Sequence, residues 1–213
     1  KDKKMKTLLL FVTLIMFAGY LSAAVGCDLN DPDRDVKKLF PDNTGYKTLY
    51  VSIAQKGGTP LLTKIEQRLG DKFQGLYETA DVPYTMYQIY KGKELIGYIH
   101  GVNQKGKYGG IQVFLALDKD GVIKSFYIQK ITSPNAKKFR DAAFGKQFIG
   151  LSLKDFYEYN IQKASATPDS KINRIKNPDP KTDDFKVIMR AVKKNLILTD
   201  EFLLNNKYLK YMK

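Results

Sequence analysis

The sequence predicts an α+β domain, an antiparallel sheet with helices packed on it, preceded by a signal peptide and a tether. Three observations carry that reading. Four apolar-patterned runs separated by turn residues fill positions 84–129, amphipathic helical stretches flank them at 59–69 and 185–196, and an apolar leader ends in small residues and a cysteine. A chain of 213 residues suits one packed core plus a leader better than two domains with separate cores. The expected division is 1–26 signal peptide, 27–47 lipidated Cys27 and tether, and 48–213 folded domain.

In the leader, Lys6 precedes an apolar run over 7–21 and then Ala23-Ala24-Val25-Gly26-Cys27, the pattern of an exported precursor. Cys27, the only cysteine, stands where diacylglyceryl transfer and cleavage would occur, so the expectation is a membrane-anchored lipoprotein of the cell envelope facing the periplasm or exterior. A leftover thiol beside an ordinary cleavage site, or an apolar run retained as a spanning helix, are the alternatives. With one cysteine no intrachain disulfide is possible. The formal charge is +14, and +11 once residues 1–26, holding four Lys and one Asp, are set aside. Such a basic surface gains from anionic lipid headgroups or an acidic protein partner; export removes most nucleic-acid roles.

Along the mature chain, Asp31-Pro32-Asp33 and Pro41-Asp42-Asn43 interrupt any periodicity, which gives the tether, with at most a short turn of helix at 36–40. A strand is expected at 48–53, then a helix with Thr59 as N-cap, Pro60 in its first turn, Leu61, Leu62, Ile65 and Leu69 on one face and Gly70 as its C-terminal stop. Strands follow at 84–90, 95–100, 110–117 and 122–129. Asp118-Lys119-Asp120-Gly121 joins the last two as a hairpin, Gly121 supplying the positive φ of the turn. One helix is expected from Ser133-Pro134 to Phe144, with Ala136, Phe139 and Ala143 toward the sheet. After a polar stretch over 165–184 comes a final helix with Phe185, Ile188, Val192 and Leu196 on one side.

His100 is the sole histidine, so a hydrolytic triad or a metal site finds too few ligands, and no catalytic or metal-binding residue is expected. His100 itself reads as a packed or solvent-facing strand residue. The signal that remains is Lys107-Tyr108-Gly109-Gly110 entering an apolar strand that leads to Asp118-Lys119-Asp120-Gly121-Val122-Ile123. Paired glycines let a ligand approach the strand backbone and Tyr108 offers a stacking face; taken alone, the pair is better explained by a glycine bulge at a sheet edge.

Gly-Tyr-Gly-Gly, an apolar strand, Asp-x-Asp-Gly and a second strand resemble the core signature of the FMN-binding domain family, found in flavin subunits of the sodium-pumping NADH:quinone oxidoreductase and Rnf-type complexes. The resemblance covers roughly residues 84–195, about half of the chain. It implies FMN as cofactor. The family's Glu-Thr-Pro-Gly-Leu-Gly loop corresponds to Thr132-Ser133-Pro134-Asn135 here, without the glycines and the acid. Its flavin-attachment motif, Ser-Gly-Ala-Thr, corresponds to Asp179-Pro180-Lys181-Thr182, which keeps Thr182 alone; Ser165-Ala166-Thr167 is closer in letters and too far from the helix. The implied flavin-binding residues are Tyr108, Gly109, Gly110, Ser133, Pro134, Arg140, Lys181 and Thr182. Asp183 and Asp184 follow directly, and acids in a first helical turn repel a phosphate, which Lys181 and Arg140 would offset. FMN is therefore expected without a covalent bond, in an electron-transfer protein docking to an acidic redox protein or envelope complex. The alternative from another class is a non-catalytic binding or assembly module that keeps the fold without flavin.

Overall fold

The computed structural model describes residues 27–74 and 77–212. The apolar leader, 1–26, lies outside them. The chain builds an antiparallel meander of five strands in sequence order, β1 (Gly45–Val51), β2 (Tyr84–Lys91), β3 (Glu94–Lys105), β4 (Gly110–Asp118) and β5 (Ile123–Ile131). The α+β class and the antiparallel sheet are those the sequence predicts. The β4–β5 hairpin closes as expected: Asp118 Oδ1 accepts from the amides of Asp120 and Val122, and Gly121 has φ +86°. A Cβ at Gly121 would lie 2.6 Å from Leu204, so the turn needs glycine for close approach as well as for φ.

Helix α1 (Pro32–Leu39), α2 (Ile53–Lys56), α3 (Gly58–Leu69), α4 (Ala136–Phe139), α5 (Ala142–Lys146), α6 (Leu153–Phe156) and the long α7 (Asp184–Leu203) are the described α-helices. Two-residue strands β6 (Tyr159–Asn160) and β7 (Ser165–Ala166) pair with each other. Helix α7 crosses β3 and β4 and also packs on α3. Its Ile188, Val192, Leu196 and Ile197 join Met86, Val102, Val113, Leu115 and Leu117 in the main core.

The opposite sheet face is also covered. Tyr87, Ile89, Ile99, Phe114 and Ala116 are buried under Cys27, Leu29, Val36 and Phe40, and the Leu29 amide donates to the Tyr87 hydroxyl. Residues 28–47, expected as a tether, thus contain α1 and the start of β1. The physical reason is that a sheet apolar on both faces needs two covering layers, and Val36 and Phe40 supply the second.

Three local expectations are corrected. Helix α3 starts at Gly58, not after a Thr59 cap, because Ser52 and Gln55 form a capping box that opens α2 earlier. The single helix expected at 134–144 is two, broken where Asp141 accepts the Ala143 amide at 2.7 Å and caps α5. That break turns Ala143 to solvent and brings Phe144 inward with Phe139. Phe144 meets Phe126, Phe139 and Phe148 edge-on, and Phe126 stacks on Phe148 at 4.2 Å, which seats both short helices on β5.

Candidate functional site

The segments that the flavin expectation joins do meet at one end of the sheet. The Thr132 amide donates to the Gly110 carbonyl, and Asn135 Nδ2 and Lys138 Nζ hold the Asp179 carboxylate at 2.8 and 3.2 Å. Asp179 in turn accepts the Thr182 amide through its carbonyl. Gly109 has φ +143°, and a Cβ there would sit 3.0 Å from the Thr132 side chain, so exposed Thr132 approaches the glycine closely.

The individual residues divide. Tyr108 is 46% exposed with the Lys107 ammonium 5.6 Å from its ring centre. Ser133 accepts the Asn135 amide at 3.4 Å, and Pro134 and Lys181 are exposed. The Thr182 hydroxyl is enclosed with no hydrogen-bond partner, and both carboxylate oxygens of buried Asp184 are likewise enclosed and unpartnered. Asp183 precedes α7 without capping it through its side chain. Arg140 is drawn elsewhere: it donates to the Gln129 carbonyl at 3.1 Å and lines a groove of about 430 Å³ with Lys38, Lys146, Phe126 and Tyr127. Ser165 and Ala166 lie in β7.

Cys27 is buried and its thiol is pushed up by burial. Its neighbours are tied to β5, since Gln129 bonds the Asp28 carbonyl and the Asn30 amide. A lipid on Cys27 requires that side chain to turn out of its slot, leaving Leu29 as the first residue docked on the sheet.

Sequence reasoning missed the polar side of α7. Glu78 binds Arg190 at 2.6 Å and Lys194 at 2.9 Å, and Gln104 donates to it at 3.0 Å. Desolvation pushes the Glu78 carboxyl up, but Lys194 and Arg190 outweigh it and hold the group at about 2. Arg190 also binds Asp71 and the Lys72 carbonyl, so this network ties Asp71, Lys72 and Glu78 to α7. Arg68 on α3 is likewise closed off by Asp200, Glu201 and the Tyr157 hydroxyl. His100 is fully buried; desolvation lowers it to about 4, and its Nδ1 lies 3.0 Å from the Thr85 carbonyl, so it is a packed residue.

A second cavity, of about 610 Å³, opens between α3, the 157–161 segment, α7 and residues 211–212. Among the described residues no group of three or more His, Cys, Asp or Glu could hold a metal, and no helix there is long and apolar enough to cross a membrane. No family model matches this chain, and no curated protein matches it either.

Proposed function

We propose that the chain is a non-catalytic binding module of the cell envelope, tethered to a membrane through Cys27, on an FMN-binding-type fold whose flavin site has closed. The observation that carries this reading is the close approach of the exposed Thr132 side chain to Gly109. Two others support it. The hydroxyl that would take a covalent flavin, on Thr182, is enclosed. Asp179, Asp183 and Asp184 neighbour it along the chain, acids that disfavour a phosphate, and the Arg140 cation is turned to Gln129. The residues present therefore do not fit FMN as folded.

The second reading is a membrane-tethered carrier of non-covalent FMN for electron transfer. The meeting of Gly110, Thr132, Asn135 and Asp179 at one sheet end favours it, because the family resemblance requires those same segments together. Mass spectrometry of protein purified from membranes tests the tether and the covalent variant at once. The proposal expects a mature terminus at Cys27 carrying a diacylglyceryl group and no added mass on the peptide containing Thr182. An unmodified terminus beyond Cys27 overturns the tether; an FMN adduct on Thr182 overturns the module.

A further inference from the structure

Three cations are buried among the described residues, Arg68, Lys193 and Lys194. Arg68 is neutralised by Asp200 and Glu201, and Lys194 by Glu78. Lys193 differs: its Nζ donates to the Tyr159 carbonyl at 2.9 Å, and no carboxylate among the described residues lies within salt-bridge distance. Burying an ammonium without a counter-charge is costly. Lys193 lines the 610 Å³ cavity, whose wall includes Tyr157, Tyr159 and Tyr211 together with Leu69 and Ile161. The cavity is of small-ligand size.

A second group on the cavity wall can meet a ligand. The Tyr157 hydroxyl accepts Arg68 Nε at 2.8 Å, which leaves its own proton to donate. One isolated ammonium balances one negative charge; a phosphate is better matched by a guanidinium fork, and the Arg68 fork is already occupied by its own acids.

We propose that this cavity binds an aromatic carboxylate, the carboxylate paired with Lys193 and the ring packed against the tyrosine wall. This deepens the binding-module reading by naming its ligand class. Burial lowers Lys193 to about 8, so the charge that the ligand needs is lost as pH rises through that value. The other titratable groups on the cavity are Arg68, Lys154, Tyr157, Glu158, Tyr159 and Tyr211.

Isothermal titration of the mature chain with 2-naphthoate, and with its neutral amide 2-naphthamide, tests the proposal. Saturable one-to-one binding of 2-naphthoate is expected, with the amide about tenfold weaker or worse. Lys193→Met should weaken 2-naphthoate by about tenfold or more while the thermal midpoint holds or rises, since an unpaired buried charge has been replaced by an apolar chain of similar length. Lys47→Met, at an exposed position on β1 that does not line this cavity, should change binding by less than about threefold. Wild-type affinity should fall from pH 7 to pH 9; pH dependence that persists in Lys193→Met belongs to the other groups and counts against the assignment. Absence of 2-naphthoate binding, equal binding of acid and amide, or an unchanged Lys193→Met isotherm each overturns the proposal. Excess FMN should leave the isotherm unaltered, so a flavin result that defeats the module reading is separable from a failure of this site. The pH arm uses wild-type protein and stands if the variant does not fold.

Discussion

Replacing Glu78 by Gln removes the carboxylate shared by Arg190 and Lys194 while keeping its shape. The Glu78 side chain is 3% exposed and that of Lys194 is fully buried, so water cannot substitute for the lost charge. The carboxyl is held at about 2 in the fold against an ordinary 4.5, and at about 1.4 kcal/mol per pH unit this corresponds to roughly 3 kcal/mol of stability at neutral pH. The figure agrees with the roughly 3–5 kcal/mol lost when one partner of a buried ion pair is removed. Because the folded value is depressed, the contribution is complete above the unfolded value and disappears as pH falls through the folded one. Urea unfolding of wild type should therefore show stability declining between about pH 4.5 and pH 2, and Glu78→Gln should be weaker at pH 7 and lack that part of the decline. A loss under about 1 kcal/mol at pH 7, or parallel pH profiles for the two proteins, would refute the buried strap.

Other outcomes follow from the packing. Val113→Asp, at a position with no solvent exposure, should cost about 4 kcal/mol or more and abolish a cooperative melt; a parent-like melting curve would break the strand assignment. Gly109→Ala meets Thr132 at a φ of +143° and should cost about 1–3 kcal/mol. Gly110→Ala places its Cβ 3.5 Å from the Tyr77 hydroxyl, ordinary contact, and should stay within about 0.5 kcal/mol of wild type. Equal melting temperatures for those two variants would show that neither the Gly109 backbone nor the Thr132 contact resists a side chain there.

Strands β2 to β5 and the apolar stripe of α7 were legible because each is coded by local periodicity, and the β4–β5 turn because Asp118 and Gly121 specify it within four residues. Residues 28–47 were misread for a physical reason: Pro32 and Pro41 punctuate them, and the Val36 and Phe40 contacts are made with strands far along the chain. A usable signal was present in β2, where Met86 faces α7 while Tyr87 and Ile89 face the other way, since apolar residues on both faces announce a sheet covered twice. The polar network was not legible. Glu78 finds Arg190 and Lys194 more than 100 residues later, and nothing in either neighbourhood marks the pairing. Among the eight residues expected to bind flavin, Gly110 accepts the Thr132 amide and Thr182 donates to Asp179 beside Asn135, whereas the bond that orients Arg140 to the Gln129 carbonyl is made between separate elements and has no local mark.

Titration of FMN into the purified mature chain, followed by the flavin absorbance and by dialysis, tests the closed-site reading most directly. The protein should be colourless as isolated, should leave the FMN spectrum unchanged, and should retain none after dialysis, because Thr132 closely approaches Gly109 and the Thr182 hydroxyl is enclosed beside acidic chain neighbours. A yellow protein that releases FMN on denaturation, or saturable FMN binding weakened by Gly109→Val, would contradict it and make the chain a flavin carrier.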